Sequence, residues 1–453
     1  MRINKRRRNR RGASSVFLAI VLSALILVEC TFLAFVWNLD YALSVNTALK
    51  TEIDTILCDY NRQLFDVYGI YAFSIDGIDD ECFNKALEIN GLNARSTLYV
   101  SGKNKITTDD LRKAIASYYL YRSTGIVGKT LVDSFSDMFL QLDTSGILNK
   151  IGKYMESPAA DYVAQIIKGS DTAEQWISKA GDALNLDELL EEAANIDSLR
   201  QDYADSIRES GIGLDVDVAN WEQFLDILSG MESFGNTLSD ASFCTTTKFF
   251  TSHYCAYNFD CIMPPKGDTS LNGTSFDAIH GTTKADLEYI IAGDNDYFTL
   301  YGLHMKLIYI LTAGNMLTDF ADETYRNTIN AISEVISIII SAVSEGAVNI
   351  DYRIIAVGIT YYVALIQSIK DYLDLYKGER IVFFKYEDMD LIKFSYRDFM
   401  LLFCLFTPED DLLKRSLHVL KRDYGTLYKG VRLEADFRGE TYYVEKSYQL
   451  YES

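Results

Sequence analysis

A block of positive charge followed directly by a long apolar run is the feature of this sequence that most constrains its fold. The first eleven residues include seven Lys and Arg side chains. The run from Ala13 to Trp37 then has 25 residues, and Glu29 is its only charged residue. A helix of that length spans about 37 Å, enough to cross a hydrocarbon core of about 30 Å. The sequence therefore predicts a basic cytoplasmic leader at 1–12 and a transmembrane helix at 13–37.

Two cleavable signals are less compatible with this run. A secretory signal has an apolar core of about 7 to 15 residues and a small-residue cleavage motif, and "AFVWNLDYA" has no such motif. A lipoprotein leader has a small residue before its cysteine, whereas Glu29 precedes Cys30. Because the basic residues precede the span and Asp40 follows it, the N-terminus is expected in the cytoplasm and residues from about 38 onward outside the cell.

The apolar pattern continues past the span at near-helical spacing, which predicts an almost continuous helix over about 13–68. Its outer part, 38–70, is expected to be an extracellular, amphipathic stalk helix. The stripe consists of Leu39, Ala42, Asn46, Leu49, Ile53, Ile56, Tyr60 and Val67.

Two later apolar stretches, 335–348 and 354–369, fall short of the roughly 20 residues that a span needs. They are expected to be buried helices, with a second or re-entrant span as the alternative.

The remaining pattern indicates a mostly α (α+β) protein. The domains are expected to be a small α/β segment at 71–107 with a strand near 96–102, a helical region at 108–235 that begins with a capped helix, and a distal α+β domain at 236–453. In the distal domain the pattern predicts helices at about 284–293, 296–345 with breaks, 353–377, 395–405 and 409–423, and a strand at 380–384. Alternation around Arg438 and Gly439 predicts a C-terminal β-hairpin.

The charge distribution excludes one class of function. The net charge of −21 already includes the positive leader, so the remainder of the chain is more acidic still. Nucleic-acid binding requires a basic surface. No nucleic-acid partner is therefore expected.

Catalytic and metal-binding motifs are absent from the sequence. The seven cysteines and four histidines show no zinc-ligand spacing, and no P-loop, dinucleotide fingerprint or nucleophile elbow occurs. The acidic cluster of Asp76, Asp79, Asp80 and Glu81 lacks EF-hand spacing and is expected to be a solvated turn. No catalytic residue, cofactor or metal site is predicted, and the protein is not expected to be an enzyme.

The segment "SHYCAYNFDC" leaves one alternative open. Cys255 and Cys261 are close enough in sequence for a local disulfide outside the cell, or they are two separate buried thiols. His253 lies two residues before Cys255, and packing in an aromatic-rich segment is the expected role of both.

The N-terminal strings "RRGASSVFLAIVLSALILVECTFLAF" and "CDYNRQLFDVYGIYAF" resemble TadE/TadG-like proteins of tight-adherence (Flp) pilus loci. More closely, they resemble an uncharacterised bacterial family that accompanies those loci and has an N-terminal transmembrane helix and a large extracellular domain. Further likeness occurs at 286–293, 364–385 and 394–406. The resemblance implies a minor pseudopilin-like or assembly component anchored in the bacterial cell membrane. Its implied partners are other pilus or pseudopilin proteins and pilus platform proteins, and no catalytic activity is implied. A membrane-anchored extracellular binding module for cell wall or surface ligands is the alternative.

In pseudopilins of the TadE type, a prepilin peptidase cuts after a glycine and a Glu lies five residues beyond the cut. The matching bond here joins Gly12 to Ala13, but the fifth residue is Phe17. This departure favours an uncut anchor of the TadG-like kind.

Glu29 lies about 25 Å along the helix from Gly12, close to the outer interface. Its side chain is expected either to reach toward water or to contact a partner helix.

Overall fold

The computed structural model describes residues 11–74, 81–90, 92, 98–121, 136, 246–269, 284–294, 297–343, 349–383, 393–437 and 439–448. Most of the predicted helical region 108–235 lies outside these residues, as do Asp76, Asp79 and Asp80 of the acidic cluster and most of the basic leader.

The helices are α1 (Arg11–Cys58), α2 (Arg62–Tyr68), α3 (Glu81–Ile89), α4 (Thr108–Tyr121), α5 (Thr247–Asn258), α6 (Asp286–Ala292), α7 (Tyr297–Ala321), α8 (Glu323–Val343), α9 (Tyr352–Tyr376), α10 (Tyr396–Phe406) and α11 (Glu409–Tyr424). The strands are β1 (Leu98–Lys105), β2 (Ile381–Val382), β3 (Lys393–Phe394), β4 (Tyr428–Phe437) and β5 (Glu440–Ser447). The predicted mostly α (α+β) class is confirmed, including the long apolar N-terminal helix and the C-terminal hairpin.

The predicted helix over 13–68 is broken into α1 and α2. The break lies at Asn61, whose side-chain Oδ1 accepts a hydrogen bond of 2.9 Å from the backbone N–H of Leu64. An Asn side chain in this position caps the start of a new helix. The backbone N–H of Asn61 donates instead to the carbonyl of Ala72, at 2.8 Å. The apolar stripe continues across this cap, so its periodicity does not reveal the break.

The chain divides into two compact units, and the first, here called the sheet domain, comprises residues 1–65, 70–107 and 424–453. Its antiparallel sheet has the strand order β1-β4-β5. The outer half of α1 and α3 pack against the buried side chains of β4 to form one hydrophobic core. The C-terminal hairpin thus packs with the 71–107 segment, whereas the sequence pattern predicts these two segments in separate domains.

The turn between β4 and β5 is very short, because Phe437 and Glu440 are paired across the hairpin. Gly439 in this turn has a φ of 84°, which lies in the left-handed region that glycine adopts without steric cost.

The second compact unit, here called the helical unit, comprises residues 66–69 and 108–423. Within it α9 packs against both α7 and α8, and α5 packs against α4 and α10. α9 is long enough and apolar enough to cross a membrane. However, more than half of its most apolar stretch is buried inside the protein, as in the core helix of a folded domain. The predicted strand at 380–384 contains β2, whose partner β3 was not predicted.

Candidate functional site

The first half of α1 is covered with exposed apolar side chains. Large hydrophobic residues are exposed from Val16 to Leu43, and the exposed fraction of Phe17 is 68%. Soluble monomers rarely expose contiguous apolar patches larger than a few hundred Å². This surface is therefore compatible with a single-pass membrane anchor. An N-terminal signal sequence has a similar length and apolar composition.

Two hydroxyl groups in this segment are bonded within the helix itself. Ser23 Oγ donates to the carbonyl of Ala19 at 2.8 Å, and Thr31 Oγ1 donates to the carbonyl of Leu27 at 2.7 Å. A polar group in hydrocarbon must find its partner inside the protein. These two bonds make both side chains compatible with a lipid environment.

The site residues predicted in the leader and the span all lie on α1. Gly12 and Ala13 are in its first turn. Glu29 lies within the apolar segment with its side chain exposed. The structure thus leaves Glu29 accessible both to water at an interface and to a neighbouring helix.

The exposed segment leads directly into the core of the sheet domain. Leu43 is 66% exposed, whereas Val45, the next residue but one, is fully buried. Ala48 and Leu49 follow with no exposed surface. One unbroken helix therefore supplies both the apolar surface and part of a folded core.

A second feature, in the helical unit, is a buried polar network around Arg397 on α10. Its Nη1 donates to the carbonyls of Ala256 and Phe259, at 2.7 and 2.6 Å. Its Nε donates to the carboxylate of Asp268. A cation at the carbonyl end of α5 is favoured by the helix dipole. Arg397 was not predicted from the sequence, in which its only signal is a charged Arg-Asp pair at the start of the largely apolar helix "YRDFMLLFCLF".

Two buried carboxylates extend this network. Oε1 of Glu288 accepts hydrogen bonds from the N–H of Ile262 (3.0 Å) and the hydroxyl of Tyr396 (2.8 Å), and burial raises its pKa to about 7. Asp260 accepts from the N–H of Lys284 at 2.8 Å, and burial raises its pKa to about 6. Together with Arg397, these groups tie the loop after α5 to α6 and α10.

His304 lies beside this network and is buried between two aromatic rings. Its ring centroid is 5.8 Å from that of Tyr372 and 6.3 Å from that of Tyr396. Burial lowers the pKa of the imidazole to about 4, so the ring is neutral at physiological pH. It packs here as an apolar ring.

Glu288→Gln should change how the stability of the protein depends on pH. The raised pKa means that the contribution of Glu288 to stability is present below about pH 4.5 and is lost as the pH rises through about 7. Glutamine keeps the acceptor oxygen and cannot ionise. The difference in unfolding free energy, variant minus native, should therefore increase by about 2–3 kcal/mol between pH 4.5 and pH 8.

Urea unfolding of both proteins across that pH range would measure this difference. Any effect of the buried amide on the unfolding free energy that does not depend on pH cancels, because only the change with pH is compared. A difference that does not change with pH would contradict the assignment of a buried, protonatable Glu288.

The structure does not pair Cys255 with Cys261: both are free and buried. Sγ of Cys255 lies 3.3 Å from Oγ of Ser416, and burial raises the pKa of the Cys255 thiol to about 12. A thiol with so high a pKa is a poor nucleophile. Of the two alternatives, the structure has two separate buried thiols.

His253 has a packing role beside Cys255. Nδ1 of His253 and the hydroxyl of Tyr119 share a hydrogen bond of 2.7 Å. Its ring stacks on Tyr257 with a centroid distance of 4.6 Å, and burial lowers its pKa to about 4. These contacts place the imidazole in an aromatic cluster. Among the described residues, no group of three or more His, Cys, Asp or Glu side chains could hold a metal ion.

Residues 207–391 are similar to a family of unknown function, DUF5702. No curated protein and no solved structure is significantly similar to the chain. The family match includes α5 to α9 and Glu288, whereas α1, β4, β5 and Arg397 lie outside it.

Proposed function

We propose that this chain is a membrane-anchored, minor pseudopilin-like or assembly component of a bacterial tight-adherence pilus system. Its N-terminus lies in the cytoplasm, and residues from about 38 onward lie at the cell surface. The observation that carries the proposal is the exposed apolar half of α1, whose sequence resembles the N-terminus of TadE/TadG-like proteins.

The continuity of α1 supports a retained anchor over a cleaved signal. A secretory signal ends in a small-residue motif, whereas here the apolar run passes into the sheet domain without leaving the helix. Val45, Ile53 and Ile56 of the same helix are buried in the core. The proposed anchor and part of the domain core are thus one continuous helix.

The buried ionisable groups of the helical unit support a structural role. Arg397 and Glu288 bond to backbone groups and to neighbouring side chains of the unit itself, and this holds chain segments together. A basic segment before the span and an acidic body after it fit the proposed orientation.

Affinity capture from detergent-solubilised membranes of the native host tests the proposal. The full-length tagged chain should enrich pilin or pilus platform proteins, identified by mass spectrometry. The matched control replaces residues 13–37 by polyleucine of equal length, which keeps the anchor and removes side-chain-specific helix contacts. Recovery of the native chain without any pilus protein, under conditions that preserve other membrane complexes, would overturn the proposal.

A further inference from the structure

We infer that the sheet domain rests directly on the headgroups of a phospholipid bilayer, with the β4–β5 turn at the membrane surface. The inference rests on membrane anchoring by α1 but not on the identity of the pilus partners. It concerns a second contact with lipid, made by a folded domain and not by the span.

The first observation is that no spacer separates the apolar segment from the domain. Leu43 is the last of the exposed large hydrophobic residues of α1, and Val45 is already in the core. Two residues of helix correspond to about 3 Å. The domain surface must therefore begin at the level where the apolar surface ends.

The second observation is the length of the apolar segment. Val16 and Leu43 are about 40 Å apart along the helix. This exceeds the hydrocarbon core of about 30 Å, so the outer end of the exposed apolar surface reaches into the headgroup region. Trp37, which is 64% exposed, and Tyr41 then lie at the interface, where aromatic side chains are enriched.

The third observation shows which end of the sheet faces the bilayer. The rings of Tyr41 and Phe437, the last residue of β4, are 6.0 Å apart. At the other end of β5, the hydroxyl of Tyr448 donates to the carbonyl of Leu57 at 2.9 Å. The β4–β5 turn therefore lies at the level of Tyr41, and β5 runs away from the bilayer along α1.

An ion pair between Lys446 and Asp54 fixes the same direction. Tyr41 and Asp54 are about 20 Å apart along the helix. Since β5 follows α1 over this distance, its first residues lie near the bilayer and its last residues lie well above it.

Headgroup quenching on full-length protein in vesicles of phosphatidylcholine and phosphatidylethanolamine tests this placement. Cys30, Cys58, Cys82 and Cys244 are replaced by serine, and a single cysteine is introduced as Glu440→Cys or Glu445→Cys. Both positions are exposed on β5 and lie about 17 Å apart along the strand. Each cysteine carries a bimane label, and nitroxide lipids labelled at the headgroup act as quenchers.

The label at 440 should be quenched at least threefold more strongly than the label at 445. Thr441→Cys and Lys446→Cys provide a second pair, and the parent without an introduced cysteine gives the background. Equal, weak quenching at both ends of β5 in protein that floats with the vesicles would overturn the inference and leave the anchor intact. Failure to float with the vesicles would overturn both the inference and the membrane anchoring on which it rests.

Discussion

Replacing Leu22 and Ile26 together by lysine should release the chain from the membrane. Both side chains are exposed near the middle of the apolar half of α1, four residues apart on one face. A lysine at the centre of a span costs about 2.5–3.5 kcal/mol on insertion scales. The pair should therefore shift the insertion equilibrium by a factor of roughly 10⁴. Alkaline extraction of isolated membranes measures the result, with the native chain in the pellet and the variant in the supernatant.

The control is Leu22→Ala with Ile26→Ala, which keeps the helix and most of its apolar character. This variant should remain in the membrane pellet. If the double lysine variant also stays there, α1 does not anchor the chain.

Arg397→Met should cause a large loss of folding stability in the helical unit. The substitution leaves the carboxylate of Asp268 without its arginine partner, and the carbonyls of Ala256 and Phe259 lose the donor that now bonds both. Removing one member of a buried ion pair costs about 3–5 kcal/mol. Urea unfolding of the full chain in detergent should show a loss of that size.

Arg326→Met serves as the matched control, because Arg326 is exposed on α8. Surface substitutions usually change stability by less than about 0.5 kcal/mol. Equal stabilities for the two variants would contradict the role assigned to Arg397.

The features that the sequence predicts best are local. The apolar run and the stripe that follows it are both properties of consecutive residues, and they place α1 correctly over most of its length. The end of α1 was missed because the cap at Asn61 interrupts the helix without interrupting the stripe. The helices α6 to α11 were placed well because each carries its own apolar periodicity, whereas α5, in an aromatic-rich segment, was not predicted.

Long-range packing could not be predicted in the same way. β1 pairs with β4, which lies far away in the sequence, so domain boundaries drawn along the chain could not join 71–107 to the C-terminal hairpin. Sequence periodicity identifies which face of a strand is buried but not which strand is its neighbour.

The polar network was missed for a related reason. Arg397 bonds to two backbone carbonyls and to Asp268. No spacing of residues in the sequence predicts that combination of partners. The burial of the Glu288 carboxylate could not be predicted from the sequence either, because "DLEYIIAG" has the composition of an ordinary amphipathic helix. Such groups become visible only when the elements that enclose them are packed together.

The central claim, a single anchor that carries its domain outside the cell, is tested most directly by labelling intact cells with a membrane-impermeant maleimide. Glu445→Cys and Asn4→Cys are each introduced into the chain with Cys30, Cys58, Cys82 and Cys244 replaced by serine. The cysteine at 445 should react in intact cells, and the cysteine at 4 should react only after lysis. Protection of the cysteine at 445 until lysis would contradict the claim.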